Sequence, residues 1–198
     1  MPALQFDRIA LDAETENLRE KVREFVQENE SHFEQPNSDF VTGHDPEFSR
    51  KLGEKGWIGM TWPAKYGGGE RSNFDRLVVT EELLAAGAPV SAHWIADRQS
   101  GPLLLRFGTE EQRQKYLPGI CRGKSYFSIG MSEPDTGSDL ASVRTSAILE
   151  GDNYRVNGTK IWTTDAHRND YIICLVRTQP AEENRHAGLS QIIIDLKR

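Results

Sequence analysis

The sequence lacks the features that mark several large classes of protein. It has two cysteines, Cys121 and Cys174, and no CxxC pair. This excludes a disulfide scaffold and predicts buried, reduced thiols, as in a cytoplasmic protein. No apolar run approaches the 18 residues of a membrane span. The first eighteen residues have no basic region followed by a long apolar core, so no signal peptide is predicted.

The charge balance also excludes a class of partner. The chain of 198 residues carries 30 acidic and 24 basic residues, a net charge of −6. Nucleic acid is therefore not expected as the main partner, because phosphate binding needs a basic stripe.

Several common catalytic motifs are missing as well. "PGICRGKS" resembles a phosphate loop, but Gly119 and Gly123 have the wrong spacing and a predicted helix precedes them. No GxGxxG follows a strand, and "GMSEP" is not a nucleophile elbow. The five histidines show no metal-ligand spacing, so no metal site is expected: His32, His44, His93, His167 and His186.

Helical periodicity dominates the chain up to about residue 122. Near the N-terminus, Leu18, Val22, Phe25 and Val26 share one face. Further helices are expected after the N-caps Asp45 and Thr109, over 73–87 and over 90–108. In the helix over 90–108 we expect a break or kink at Gly101-Pro102. The helix that begins after Thr109 is expected to end at Pro118.

After residue 122 the apolar residues follow strand periodicity in place of helical periodicity. β-like runs occur at "SYFSIGMS", twice within 143–164, at "DYIICLVRT" and at "GLSQIIIDLKR", with a polar connection before the last. Turn signals occur at Gly151-Asp152 and at Asn157-Gly158, and the second, an Asn-Gly pair, is a strong hairpin signal. The predicted fold class is α+β: an all-helical domain over 1–122, then an antiparallel β domain over 123–198.

The stretch "IGMSEPDTGSDLASVRT" (129–145) follows the first predicted strand. Its small residues let backbone N–H groups approach an anion such as a phosphate, and serine hydroxyls add donors. The alternative is a plain loop in which Ser138 or Asp139 caps a short turn. Composition alone favours the plain loop.

A second stretch, "NGTKIWTTDA", shifts that balance. Trp162 and Thr164 are two residues apart, which in a strand places both on one face. A tryptophan that packs on a ring and a hydroxyl that donates to a ring nitrogen suit a flavin. An ordinary pair of sheet residues is the alternative.

Together the two stretches resemble the acyl-CoA dehydrogenase family. The pattern G-[apolar]-[ST]-E-P-x-[small]-G-S-D is matched from Gly130 to Asp139, and N-G-x-K-x-W-x-[ST] from Asn157 to Thr164. "RFGTEEQRQKYLPGICRGK" and "YGG" also look like family segments. Thr136 departs from the pattern, which has Ala or Gly there, and its side chain could narrow the approach of a pyrophosphate.

The resemblance implies that FAD is the cofactor. It implies that Met131 and Ser132 bond the pyrimidine end of the flavin and that Gly137 and Ser138 lie at the pyrophosphate. Trp162 would pack beside the isoalloxazine ring and Thr164 would donate to N5. Glu133 is expected to be a structural carboxylate of the turn, and Lys160 a solvated or structural charge.

The resemblance also implies the reaction and the partners. A CoA thioester is oxidised between Cα and Cβ, with hydride passing to N5 and electrons to an electron-transfer flavoprotein. The resemblance implies that the β domain over 123–198 is incomplete, and that the family's base glutamate lies in a C-terminal helical domain beyond Arg198, so no catalytic base is expected here. The family forms dimers or tetramers, and the chain is expected in a homo- or hetero-oligomer.

Substrate contacts are expected from the helix "VSAHWIADRQSGPLLLRFG", with His93 and Trp94 as candidates. "AHWIADRQ" resembles bacterial members that act on bulky, steroid-like CoA thioesters. Two other functions stay open: a non-catalytic subunit that assembles with a partner dehydrogenase, and a flavin oxidase or monooxygenase of the same fold.

Overall fold

The computed structural model describes residues 10–32, 43–180 and 184–197. The expected polar connection at 179–187 therefore lies partly outside the described residues, as does the start of the chain that the signal-peptide prediction concerned. In the described ranges, no helix combines the length and apolarity needed to cross a membrane.

The first part of the chain is helical, as predicted. The helices are α1 (Ala13–Glu28), α2 (Pro46–Glu54), α3 (Asn73–Ala85), α4 (Ser91–Ile95), α5 (Gly101–Phe107) and α6 (Glu110–Cys121). Short 3₁₀ turns lie at Glu30–His32, Ala64–Tyr66 and Leu140–Ser142. The predicted apolar face of α1 is buried at Leu18, Val22 and Phe25.

The helix caps follow the sequence signals. The Asp45 carboxylate accepts hydrogen bonds from the N–H groups of residues 47 and 48 at the start of α2. Thr109 and Gln112 form a capping box at the start of α6. The expected end at Pro118 is wrong, because α6 continues to Cys121. Ile120 and Cys121 are buried beyond the proline, so tertiary packing outweighs the lost hydrogen bond.

Helix α4 runs into α5 through a π-helical turn, Ala96–Ser100. The expected break at Gly101-Pro102 is thus a local change of helix type that keeps the chain helical. Gly101 is needed for packing there, since a Cβ at this position would lie 2.0 Å from Cη2 of Trp62. π-turns of this kind are frequent at functional sites.

The second part of the chain forms one five-stranded sheet. The strands are β1 (Phe127–Gly130), β2 (Ser146–Glu150), β3 (Asn153–Asn157), β4 (Tyr171–Arg177) and β5 (Leu189–Asp195). β4 is central: β1 and β2 pair with it in parallel, and β5 pairs with it along its length in antiparallel orientation.

The sheet is mixed, which differs from the antiparallel arrangement expected from the sequence. β1 and β4 run the same way, with Phe127 opposite Tyr171 and Gly130 opposite Cys174. A parallel pair needs a long crossover, and the forty residues between these strands supply it. The order of a helical part followed by a sheet is as predicted.

The hairpin between β2 and β3 turns at the predicted signal Gly151-Asp152, and the Asn157-Gly158 pair makes no hairpin. Ser146 lies opposite Asn157 and Glu150 opposite Asn153, so the turn is Gly151-Asp152, with Gly151 at φ 61°. Gly158 instead permits a close approach, because a Cβ there would lie 2.3 Å from the Thr145 hydroxyl oxygen. After Gly158 the chain leaves the sheet.

One hydrophobic core joins the helices to the sheet. Phe127 of β1 and Ile173 of β4 belong to the same buried cluster as residues of α1, α2 and α6, such as Leu117. On the opposite face of the sheet Ile172, Cys174 and Val176 form a second cluster. β4 is therefore buried on both faces, which explains its continuous apolar sequence.

The connection between β1 and β4 contains a buried ion pair, formed by Glu133 and Lys160. The Glu133 carboxylate accepts hydrogen bonds from the backbone N–H groups of Arg144 (2.8 Å) and Thr145 (2.9 Å). It also accepts one from the Lys160 ammonium at 2.9 Å, which donates to the Met131 carbonyl as well. The side chains of Glu133 and Lys160 are 7% and 8% exposed, respectively. Glu133 is thus structural, as expected.

The same contacts set the acidity of Glu133. Burial raises the pKa of the carboxyl, but the hydrogen bonds from Thr145, Arg144 and Lys160 outweigh it and lower the pKa to about 2, from 4.5. The stabilisation is therefore fully present above pH about 4.5 and is lost as the pH falls towards 2.

We expect Glu133→Gln to lower the free energy of unfolding at pH 7 by roughly 3 kcal/mol, because Lys160 loses its counter-charge. The variant should also lose less stability than the wild type between pH 4.5 and 2. Urea unfolding across this pH range measures both effects. Asp135→Asn, whose side chain is 75% exposed, is the control. An equal loss in both variants would contradict the structural role of Glu133.

Candidate functional site

A cleft of about 230 Å³ lies between the α4 region and the C-terminal end of β1. We call it the helix–strand cleft; its lining residues are Ile95, Gln99, Ile129, Met131, Ser132, Ile161, Trp162 and Thr164. Four of the six residues predicted to contact the cofactor are therefore together: Met131, Ser132, Trp162 and Thr164. They come from two segments thirty residues apart in the sequence.

The second of these segments is irregular chain, which corrects the expectation that Trp162 and Thr164 lie on a strand. The structure has no strand between Asn157 and Tyr171. Trp162 and Asp165 both have positive φ values, 56° and 55°. We call residues 161–165 the cleft loop. Trp162 and Thr164 both line the cleft, but the loop's conformation places them there, and strand alternation does not.

Hydrogen bonds from backbone and side-chain groups tie the cleft loop to β1 and to the residues that follow it. The N–H of Ile161 donates to the Ser132 carbonyl at 3.0 Å. The Ser128 hydroxyl donates to the Thr164 carbonyl at 2.8 Å. Asn169 donates to Ser128 Oγ and to the Phe127 carbonyl, at 2.9 and 3.0 Å, so the turn after the loop is fixed to the same strand.

These bonds determine which groups the first segment can offer to a ligand. The Met131 carbonyl accepts from Lys160, and the Ser132 carbonyl accepts from Ile161. Both carbonyl groups are engaged within the protein. The backbone N–H groups and the Ser132 hydroxyl are the polar groups that suit an acceptor atom in the cleft.

Trp162 is 86% exposed, an unusual position for so large an apolar side chain. Its positive φ is a costly conformation for a non-glycine residue, and such strain tends to occur at functional sites. An exposed aromatic face beside two hydroxyl-bearing residues can receive a planar ring.

Gly137 and Ser138, the remaining predicted cofactor residues, lie outside the cleft. Both are exposed in the turn after Glu133, and a Cβ at Gly137 would meet nothing within 4 Å. Thr136 is buried, and its hydroxyl lies 3.5 Å from the Ser142 carbonyl oxygen that accepts its hydrogen bond. Its side chain is directed into the turn.

His93 is placed in the protein interior and does not line the cleft. It is 6% exposed, and its Nδ1 lies 2.8 Å from the Ser49 hydroxyl. Burial, with a smaller contribution from the Arg98 charge, lowers its pKa to about 3, so the ring is neutral. Trp94 is half-buried under the Arg98 guanidinium, whose carbon is 5.2 Å from the ring centroid.

The helical wall of the cleft was missed by sequence reasoning. Ile95 and Gln99 face the strand residues from the end of α4 and from the π-turn. Their spacing of four residues was visible, but which face of this apolar helix meets the sheet depends on tertiary packing. None of the described residues that line the cleft carries a carboxylate.

In residues 10–32, 43–180 and 184–197, no cluster of three or more His, Cys, Asp or Glu side chains could hold a metal ion. Cys121 and Cys174 are buried free thiols, and burial raises the pKa of Cys121 to about 12, so it is not an active nucleophile.

A larger opening of about 710 Å³ adjoins the sheet farther along α5. We call it the apolar groove; Leu103, Phe107, Tyr116, Leu175 and Ile193 are among its lining residues. Its walls are α5, α6, β4 and β5, so it shares the continuous α4–α5 helical segment with the helix–strand cleft.

Comparison with known proteins agrees with this architecture. The acyl-CoA dehydrogenase N-terminal domain matches residues 12–124, and the acyl-CoA dehydrogenase middle domain matches residues 128–198. Acyl-CoA dehydrogenase FadE26 of Mycobacterium tuberculosis is 42% identical over 146 residues, covering 73% of this chain and 36% of FadE26.

Solved structures superpose closely. The "Tcur3481-Tcur3483 steroid ACAD" is 36% identical with a TM-score of 0.85, covering 95% of this chain and 49% of that one. The ChsE4-ChsE5 complex from Mycobacterium tuberculosis is also 36% identical, with a TM-score of 0.81, covering 96% and 48%. The chain thus spans about half the length of the solved chains it matches.

A more distant structure includes a cofactor. A glutaryl-CoA dehydrogenase from Mycobacterium smegmatis in complex with FADH2 is 26% identical with a TM-score of 0.74, covering 93% of this chain and 46% of that chain. Both domain matches together cover nearly the whole sequence, and the fold is the same. The chain belongs to the acyl-CoA dehydrogenase family.

Proposed function

We propose that this chain is the FAD-binding portion of an enzyme that dehydrogenates a CoA thioester between its α and β carbons. The observation that carries the proposal is the helix–strand cleft, which brings Met131, Ser132, Trp162 and Thr164 together. The FADH2 complex of the related glutaryl-CoA dehydrogenase supports the choice of cofactor. An electron-transfer flavoprotein is the proposed electron acceptor.

The cleft residues fit a flavin in chemistry. Trp162 offers an exposed aromatic face, and the hydroxyls of Ser132 and Thr164 offer donors to ring oxygen and nitrogen atoms. The Met131 and Ser132 carbonyls are engaged within the protein, and the backbone N–H groups of these residues are the proposed donors to the pyrimidine end of the flavin. Such donors stabilise negative charge on the ring.

Ser138 and Gly137 are proposed to hold the pyrophosphate. They lie in an exposed turn outside the cleft, as the length of an extended dinucleotide requires. Glu133 stays bound to Lys160 and holds the start of that turn. When FAD is bound, the chemistry it supplies is acceptance of a hydride from the β-carbon of the thioester.

The proton from the α-carbon has no acceptor in the cleft, since none of the described residues that line it carries a carboxylate. We propose that the base comes from outside residues 1–198, either from further sequence or from another chain. The ChsE4-ChsE5 relative is a complex of two proteins, which favours assembly as a dimer or tetramer with a partner subunit.

The acyl group is proposed to be bulky. The solved relative named as a steroid ACAD matches 95% of the chain. The apolar groove, of about 710 Å³, shares the helical segment that walls the cleft and is large enough for a fused-ring group.

The cofactor assignment predicts a specific effect of Thr164→Ala. The protein with its complete reading frame should bind FAD, and the variant should change the dissociation constant by less than about fivefold while shifting the midpoint potential by roughly 20 mV, because one hydrogen bond to the ring is lost. Flavin fluorescence titration and dye equilibration measure the two quantities. Thr163→Ala is the control. A protein with its complete reading frame that binds no FAD would overturn the assignment.

The missing base predicts that residues 1–198 alone do not turn over. With FAD added under anaerobic conditions, acyl-CoA thioesters should leave the flavin oxidised, because the α-proton has no acceptor. Absorbance of the flavin measures this. Dithionite should still bleach the bound flavin, which shows that the site is intact. Bleaching by a thioester at an enzyme-like rate would show that the base lies within this chain.

The substrate proposal concerns the assembled enzyme. When a partner supplies the remaining half, thioesters with a fused-ring acyl group should reduce the flavin faster than short linear ones, because only a bulky group fills the groove. Stopped-flow reduction with a matched panel decides this. Preference for a short linear thioester would refute the bulky substrate.

A further inference from the structure

A buried polar cluster lies beside the cleft loop, and the proposed function does not use it. The Ser91 hydroxyl donates to Asp165 Oδ2 at 2.8 Å. The Nδ1 of His44 lies 3.4 Å from the same oxygen. Little of these side chains reaches solvent: Ser91 is buried at 5% exposure, and the side chains of His44 and Asp165 are 7% and 9% exposed.

Asp165 ends the cleft loop in a conformation that needs external support. Its φ is 55°, and its carbonyl accepts hydrogen bonds from the N–H groups of Arg168 (2.9 Å) and Asn169 (3.0 Å). Positive φ is uncommon for a residue with a side chain and persists where the surroundings hold it. The contacts from Ser91 and His44 provide such support.

The residue that binds Asp165 belongs to the opposite wall of the cleft. Ser91, Ile95 and Gln99 follow one another at spacings of four along α4 and the π-turn, and the last two line the cleft. On the strand side, Ser128 holds the carbonyl of Thr164, the residue before Asp165. The loop is therefore fixed to the helix through Asp165 and to β1 through Thr164.

We infer that Asp165 is a positioning residue for the cofactor site, which rests on the proposed function for the identity of that cofactor. Through Ser91 it sets the distance between the helical wall and the loop that carries Trp162 and Thr164. Its carboxylate acts through the loop and does not line the cleft.

The test compares variants that separate the hydrogen bond from the backbone strain. Ser91→Ala removes the donor and leaves the loop sequence intact. Asp165→Gly removes the side chain but tolerates positive φ, and Asp165→Asn keeps both an acceptor and that tolerance. Asp152→Ala, in the exposed turn between β2 and β3, is the control. Thermal unfolding confirms that each variant folds.

Two readouts are measured on the protein with its complete reading frame. Without ligand, amide hydrogen exchange of residues 161–169 should rise roughly tenfold in Ser91→Ala and Asp165→Gly, because the loop loses its hydrogen bond to the helix. The same two variants should bind FAD several-fold more weakly than the wild type, and the visible absorption band of the bound flavin should be shifted. Asp165→Asn and the control should match the wild type in both.

Each outcome decides a separate claim. Unchanged exchange in Ser91→Ala and Asp165→Gly would overturn the positioning role, whatever the flavin does. Faster exchange with unchanged FAD affinity and spectrum would show that Asp165 holds the loop without serving the site, and would also overturn it. If the wild type binds no FAD, the proposed function fails, while the exchange data still decide whether Asp165 fixes the loop.

Discussion

The buried pair of Glu133 and Lys160 holds together the two segments from which the cleft is built. Glu133 starts the turn after β1, and Lys160 precedes the cleft loop and also binds the Met131 carbonyl. Burying both charges is costly, and two backbone N–H groups on Glu133 offset that cost. Together with the hydrogen bond from the Ile161 N–H to the Ser132 carbonyl, this pair keeps Met131 and Ser132 beside Trp162.

The cleft combines a well-packed frame with exposed polar and aromatic groups. β1 and β4 lie in the main core, and the α4 region joins that core at Ala96. Trp162 and Thr164 are exposed, and hydrogen bonds to Ser132, Ser128 and Ser91 fix the loop that carries them. A loop fixed in this way can present a large aromatic face to a ligand with little loss of conformational entropy on binding.

Much of this arrangement was predictable from local signals. Caps at Asp45 and Thr109, the apolar face of α1 and the strand runs all reflect short-range chemistry, and the structure agrees with each. The family resemblance named four residues that the cleft brings together. The failures arise where long-range contacts decide: Pro118 stays helical because the residues beyond it are buried, and at Asn157-Gly158 the chain makes no hairpin and passes close to Thr145. The parallel pairing of β1 with β4 and the role of Asp165 likewise depend on residues far apart in sequence.

The central claim is that the helix–strand cleft and the turn after Glu133 form one site for an extended flavin dinucleotide. Amide chemical shifts of the isotopically labelled chain, recorded as FAD is added, test it most directly. The account predicts that changes concentrate at residues 131–132, 137–138 and 162–164, and at 95–99 on the helical wall. Spectra that stay unchanged, or changes confined to β5 beside the apolar groove, would contradict it.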